Sequence, residues 1–365
     1  MKTSIQHIIQ FLENRAPLAY QESYDNAGLI VGNADTEFKR GLICLDLTEN
    51  VLQEAIDTHA NLIITHHPFI FHAFKKISGH TLAERLLIKA VKHDICIYAM
   101  HTNLDNMLHG VNAQFARLLG LNHCRILQPV DHRLTKLSVF VPAKHADKVR
   151  NALFDAGCGH IGMYDSCSYN VSGTGTFRAL EGSHPYVGDL NCIHQEEEIK
   201  IETIFPDYKQ QEVIQALLTV HPYEEPAFDL YPLKNTLPVV GAGMIGLLAA
   251  PMPLTDFFTM LKQNMQLKHF RYSTADTGKI ITKVAICGGS GAFLIPQAIQ
   301  AGADIFISSE FKHNQYIDYG KDIILVDIGH YESEIQTKYL IFDQLIEKFS
   351  NFAVSLREKN PTEFF

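Results

Sequence analysis

Residues 41–68 read GLICLDLTENVLQEAIDTHANLIITHHP. Their opening run (41–48) and the later run NLIIT (61–65) are apolar almost throughout, as strands buried on both faces are, whereas 49–60 carries its apolar residues at helical spacing. Strand, helix, strand in that order makes a parallel crossover. A second unit follows at once: TLAERLLIKAVKHD (81–94) has helical periodicity and ICIYAMHT (95–102) is another short apolar run with a polar end. Two right-handed crossovers in succession predict an α/β domain, a doubly wound mixed sheet with helices on both faces.

The rhythm returns near the C-terminus in KVAICGGSG (283–291), AFLIPQAIQAGA (292–303), DIFISSE (304–310) and DIILVDIGH (322–330). The two ends of the chain therefore read as one domain, residues 1–126 and 236–365. Between them the texture changes. TKLSVFVP (135–142) alternates, ADKVRNALFDAG (146–157) is helical, EEEIKIETIFP (196–206) alternates again, and YKQQEVIQALLTVH (208–221) is helical. That β-α-β-β-α-β order predicts a ferredoxin-like α+β module inserted over 127–235, with LQPVDHR (127–133) and LYPLKNTLP (230–238) as the crossing linkers.

The chain has 365 residues, 46% of them hydrophobic, a formal net charge of −9 and no Lys/Arg block interleaved with aromatics, so a small-molecule substrate is expected and nucleic acid is not. Nineteen His is high for this length, whereas seven Cys without a C-x-x-C pair indicate neither a disulfide framework nor a zinc ribbon. A reducing, cytoplasmic protein is the expectation. The opening MKTSIQHIIQFLENRAP suits an amphipathic helix and not a secretory segment, and no apolar run is long enough to span a bilayer.

The chemistry gathers at strand ends. Thr65-His66-His67-Pro68 closes one apolar strand, and ligands of open α/β sheets collect outside the carboxyl ends of strands. Adjacent residues leaving a strand point to opposite sides, so a His-His pair suits two neighbouring ions better than one. The next strand ends in His101-Thr102-Asn103-Leu104-Asp105 and the last in His330-Tyr331-Glu332-Ser333-Glu334. A helix starting at His330 would put Glu334 one turn on, on the same face. Taken singly, His66-His67 reads as a polar loop, Asp105 as a helix N-cap and Glu334 as a first-turn carboxylate. Three distant strand ends delivering imidazole and carboxylate to one rim point instead to a metal centre.

Four motifs carry a resemblance: Tyr24-Asp25-Asn26-Ala27-Gly28-Leu29, Thr65–Pro68, His101–Asp105 and Gly329–Glu334. With them the chain resembles, over essentially its whole length, the Nif-three-like proteins, also labelled GTP cyclohydrolase 1 type 2 homologs. His221-Pro222-Tyr223-Glu224-Glu225-Pro226 resembles the run found in the longer bacterial form, which has an inserted PII-like or CutA-like domain. Two divalent metal ions per chain are expected; histidine-rich ligation with carboxylates suits zinc first, with manganese, iron or nickel also compatible. The resemblance implies how the ligands divide. It places His67 and Asp105 on one ion, His66 and His330 on the other, Glu334 bridging both, and His101 beside them as a proton donor, a proton acceptor or a group that supports the ligands. It further implies a toroidal homohexamer. One departure is Ser308-Ser309-Glu310-Phe311-Lys312-His313, where such proteins often carry Gly-Asp and then Tyr-His; His313 is retained, and Glu310 has no assigned role.

Two ions held by three His and two carboxylates would leave net positive charge and make hydrolysis of a small phosphorylated or nucleotide-like molecule the natural chemistry. The alternative is a non-catalytic metal-binding or regulatory protein whose PII-like domain senses a ligand. Gly241-Ala242-Gly243-Met244-Ile245-Gly246 fits G-x-G-x-x-G, but Pro251 and Pro253 stand where a helix should run, so it reads as a glycine-rich turn. Gly288-Gly289-Ser290-Gly291 reads equally as an anion cradle or a plain turn. His221 and Glu224 read as a helix-end turn.

Overall fold

The computed structural model describes residues 3–273 and 278–349, and the backbone of 354–355. Contacts divide the chain into two compact units, one ending at Pro129 and resuming at Val239, the other running Val130–Pro238. Each boundary lies three residues beyond the one read from the sequence.

In the first unit β1 (Gly28–Val31), β2 (Gly41–Cys44), β3 (Leu62–Thr65) and β4 (Cys96–Ala99) are followed by β5 (Asn122–Val130). The second unit contributes β6 (Leu134–Pro142), β7 (Tyr169–Arg178), β8 (Ile193–Pro206) and β9 (Phe228–Leu233). The chain then returns to the first unit with β10 (Leu237–Pro253), β11 (Arg271–Tyr272), β12 (Ile280–Ser290), β13 (Ile305–Ser309), β14 (Ile324–Asp327) and β15 (Val354–Ser355). The helices between them start on hydroxyl caps the sequence supplies. Ser4, Thr48 and Thr81 each accept a backbone N–H at the head of the helices Ile5–Arg15, Glu49–Asp57 and Leu82–Lys92, each worth about 1 kcal/mol.

The first unit carries two mixed sheets, not the single doubly wound sheet the crossovers suggested. One has the order β1-β4-β3-β2-β15 and the other β11-β14-β13-β12-β10-β5. In each, parallel strands form the centre, with an antiparallel strand at one edge, β1 against β4 and β11 against β14; in the second sheet β10 also runs antiparallel to β12 and lies between it and the edge strand β5. Local crossovers fix the parallel neighbours; they do not say that the two runs share one ladder. The halves are bound instead by exchanged helices. Phe115 and Ala116 from the helix Val111–Leu118 pack into the core of the second sheet, and Ile341 and Leu345 from Thr337–Lys348 pack with Ile43 and Ile64 of the first.

The G-x-G-x-x-G segment is not a turn. Gly241–Gly246 lies inside the long strand β10, and a Cβ on Gly241 would stand 2.1 Å from the Gln128 carbonyl oxygen of β5. Close backbone approach is what demands glycine there.

The second unit is a four-stranded antiparallel sheet ordered β7-β8-β6-β9. The helices Ala146–Asp155 and Gln210–Val220 cover one face, burying Val149, Leu153, Val213 and Leu217 against Leu137, Val139, Ile201 and Phe205. This is a β-α-β-β-α-β arrangement.

Candidate metal centre

His66, His67, His101, Asp105, His330 and Glu334 converge in the first unit, with donor atoms in overlapping groups of three that all lie within 4.8 Å of one another. The strand register explains the convergence. In parallel pairing Cys44 stands beside Thr65 and Thr65 beside Ala99, so β2, β3 and β4 end level and deliver Asp46, His66-His67 and His101 to one edge. The short helix Thr102–Asp105 then turns Asp105 back toward them. From the other sheet, β14 ends at Asp327, Gly329 takes φ +93°, and the helix His330–Glu334 puts His330 Nε2 3.0 Å from Glu334 Oε2.

Each imidazole is oriented by a hydrogen bond at Nδ1. His66 donates to the Met100 carbonyl at 2.7 Å, His67 to Asp46 at 2.8 Å, His101 to Asp25 at 2.7 Å and His330 to Glu310 at 3.1 Å. All four therefore keep Nε2 for the centre, which is how protein-held imidazoles are prepared for a metal. Among the described residues, two buried atoms there have no hydrogen-bond partner: His66 Nε2 and Asp105 Oδ1. They stand 3.6 Å apart, and His66 Nε2 is 3.8 Å from Glu334 Oε1. These separations are too long for hydrogen bonds. They match the roughly 3.4 Å between two ligand atoms that share one tetrahedral ion at bond lengths of about 2.1 Å. A buried acceptor left without a partner is costly, and a metal ion would satisfy both lone pairs.

The donors divide around Glu334. His66 and Asp105 group with it on one side, His67 and His330 on the other. That pairing differs from the one implied by resemblance, which set His67 with Asp105 and His66 with His330. His66 points back under β4 through its Met100 bond and so meets Asp105, while His67 faces the second sheet and meets His330, its ring centroid 5.2 Å away.

The glycines at the end of β12 are not an open anion cradle. The N–H of Gly288 donates to Asn112, that of Gly289 to Ser333 and that of Gly291 to Ser308. Their role is steric. A Cβ on Gly289 would lie 2.3 Å from Glu334 Oε1 and 3.4 Å from His330 Nε2. His313 opens the helix His313–Tyr319 on an exposed face and does not line the cavity.

In front of the cluster lies a cavity of about 790 Å³, lined by His67, His101, Asp105, His330 and Glu334 on its polar side and by Phe69, Phe71, Leu82 and Phe293 opposite. Among the described residues no helix is long and apolar enough to cross a membrane.

With this geometry in view, the chain can be set beside known proteins. The family model described as Duf34/NIF3 (NGG1p interacting factor 3) matches residues 3–361. The chain belongs to the Duf34/NIF3 family. A Bacillus subtilis protein named "GTP cyclohydrolase 1 type 2 homolog" is 37% identical, the alignment covering 98% of each chain. One of the same name from Halalkalibacterium halodurans is 40% identical over 89% of this chain and 88% of its own. Among solved structures, a Bacillus cereus protein related to NIF3 superposes with a TM-score of 0.87 at 36% identity, covering 100% of both chains.

Electrostatics prepare this NIF3 site for cations. Burial works against charge on His67, but the hydrogen bonds to Asp46 and Glu334 outweigh it and carry its pKa up to about 10. The hydrogen bond to Glu334 raises His330 to about 9. His66, fully buried, is pushed down by desolvation and stays neutral. Burial opposes ionisation of Glu334 too, yet hydrogen bonds from His330 and His67 hold it well below the usual carboxylate range. The metal-free cluster is thus a carboxylate clasped by two imidazolium ions.

A pH dependence follows. Both raised histidines bind more protons folded than unfolded, so their stabilisation is complete below about pH 6.5 and is lost as pH rises through about 9 to 10. Metal ions must displace those protons. Loading near pH 7.5 is expected to release protons, from His67 and His330 and from Asp105, whose carboxyl burial and the nearby Glu334 hold well above the usual carboxylate range, and apparent affinity should rise with pH up to about 9. Calorimetry in buffers of different ionisation enthalpy measures the release, and no release would contradict the assigned protonation.

The sequence reading missed the carboxylates behind the imidazoles. Asp46 and Glu310 each stand just beyond the end of the strand beside the one that carries the histidine, and each holds its Nδ1. Asp25 accepts from the His101 ring, the Thr102 backbone N–H and the Thr102 hydroxyl. Burial opposes its charge, but these bonds bring it down to about 2. The available signal was an acidic residue just after each apolar run.

Proposed function

We propose that this centre binds two divalent metal ions bridged by Glu334 and that the protein is a metal-dependent hydrolase of a small phosphorylated or nucleotide-like molecule. One observation carries the reading: the two oxygens of a single buried carboxylate face different donor groups. Oε2 lies 3.0 Å from both His67 Nε2 and His330 Nε2, and Oε1 faces His66. A bridging ligand needs that division.

When bound, two such cations supply Lewis-acid activation of water and substrate. The chain's own residues do the rest. His101 lines the cavity, and its Nδ1 bond to Asp25 fixes the ring with Nε2 free to take or return a proton. The apolar wall of Phe69, Phe71 and Leu82 thins the water around the reacting bond. The relatives' name supplies GTP as the first substrate to try. Zinc as the metal, a cytoplasmic setting, a toroidal homohexamer with sites facing inward, and a PII- or CutA-like second unit complete the proposal.

A second reading has its own support. His101 also lies in a group with His66 and His67, so it can serve as a further metal ligand in a non-catalytic metal-binding protein. His101→Gln separates the two. For a proton shuttle, metal content stays while turnover of GTP or p-nitrophenyl phosphate by metal-loaded protein falls roughly 10²–10⁴-fold. Loss of metal in this variant, with no turnover of either compound by the loaded parent, would replace the hydrolase with the binder.

A further inference from the structure

The second unit leaves one face of its sheet without helices, and that face is not a plain surface. Residues directly opposed across neighbouring strands share a face. Glu198 and Lys200 of β8 oppose Gly173 and Val171 of β7, and Lys200 also opposes Phe140 of β6. Their neighbours Ile199, Ile201, Val139 and Val141 point the other way, into the helix-covered core. On the open side lies a cavity of about 740 Å³ lined by residues of this unit alone.

Its wall combines a carboxylate with aromatic rings. Glu198 is 8% exposed, and its Oε1 accepts the Tyr223 hydroxyl at 2.8 Å. Among the described residues its second oxygen, Oε2, has no hydrogen-bond partner. The ring centroids of Phe177 and Tyr186 lie 5.9 and 6.2 Å from that of Tyr223. Glycines make the room. A Cβ on Gly175 would stand 2.2 Å from Glu198 Oε2, whereas one on Gly173 would meet nothing within 4 Å. Glu224 and Glu225 add acidic groups at the wall. Lys200, the one lysine among the lining residues, pairs with Glu202, Nζ 2.6 Å from Oε1, and Lys144 beyond the lining holds its Nζ 5.0 Å from the Tyr186 ring centroid, so that ring already accepts a cation.

We propose that this cavity is a binding site for an organic cation, an amine or quaternary ammonium compound with an apolar body. The positive group lies against Glu198 Oε2 and the face of Tyr223, and the body lies along Phe177 and Tyr186. A buried carboxylate with a spare oxygen asks for a cation, and neighbouring aromatic rings, tilted to one another, favour one that is weakly hydrated and carries carbon. Among the lining residues a bare metal ion would find one buried carboxylate and no imidazole. An anion would meet three glutamates. The site is chemically independent of the metal centre.

The test uses the full-length protein and three probes: 2-phenylethylammonium, benzyltrimethylammonium and the neutral 2-phenylethanol, titrated calorimetrically. Both cations are expected to bind and the alcohol to bind at least about tenfold more weakly. Glu198→Gln should weaken 2-phenylethylammonium about tenfold by removing the charge. Gly173→Leu, whose side chain enters open space, should abolish binding of both cations by filling the cavity. Circular dichroism and metal content unchanged in both variants show that the fold survives. Equal affinity for alcohol and amine, cation binding undiminished in both variants, or no binding of any probe at millimolar concentration would each overturn the proposal.

Discussion

Replacing Glu334 by alanine is expected to strip the centre of both ions at once. Its carboxylate is 3% exposed and touches both donor groups, so its removal takes one ligand from each ion. Partners that merely orient a ligand already command roughly 10–100-fold in metal affinity, and loss of a shared ligand should exceed that. The metal-free protein suffers as well. Without the carboxylate, His67 and His330 lose the partner that stabilises their charged forms; breaking a largely buried pair such as His67–Glu334 costs about 3–5 kcal/mol, and the solvent-screened His330 adds less. Thermal unfolding and elemental analysis of the variant measure the two effects separately. Retention of either ion at parental affinity would remove Glu334 from the bridge.

The second large effect is expected at a residue with no side chain. Gly289→Ala places a methyl group 2.3 Å from Glu334 Oε1, where backbone and carboxylate cannot both remain. Its φ of +63° adds left-handed strain of about 1–2 kcal/mol for any other residue. The two contributions can be separated with Gly120→Ala, since Gly120 has φ +66° and nothing within 4 Å of its Cβ. Both variants should lose stability by a similar strain, but only Gly289→Ala should lose metal affinity, by more than roughly tenfold. Equal metal binding in the two would mean that the glycine serves the turn and not the carboxylate.

These glycines show where the sequence was legible and where it was not. LIIT, CIYA and ILVD announce buried parallel strands by unbroken apolar character, and the polar residues at their ends announce the rim. His330 and Glu334 are related by helical spacing alone. What depends on through-space neighbours was hidden. No periodicity tells that β2, β3, β4 and β12, β13, β14 lie in separate sheets. Gly241 could not be read as a strand residue because its reason is the Gln128 carbonyl, more than a hundred positions earlier. The pairing of His66 with Asp105 depends on which way each imidazole is pulled at Nδ1, by Met100 in one case and Asp46 in the other. Asp46 was readable in hindsight. It follows an apolar strand parallel and adjacent to the one carrying His67, and the two runs end level.

The two sheets reach the centre by a common device. In each, a carboxylate just past one parallel strand holds the imidazole just past its neighbour: Asp46 with His67, Glu310 with His330. Asn112 ties the halves together, its amide donating to the Asp105 carbonyl while its oxygen accepts the Gly288 N–H. Rigid strand ends and hydrogen-bonded imidazoles leave little to reorganise when a cation enters.

The most direct test is the number of metal ions per chain. Protein purified without a metal-binding tag, stripped with chelator and reloaded with zinc or manganese, would be counted by elemental mass spectrometry against amino-acid analysis. The arrangement of donors around the two oxygens of Glu334 predicts about two ions per chain. Saturation at one ion, or no uptake at all, would contradict it.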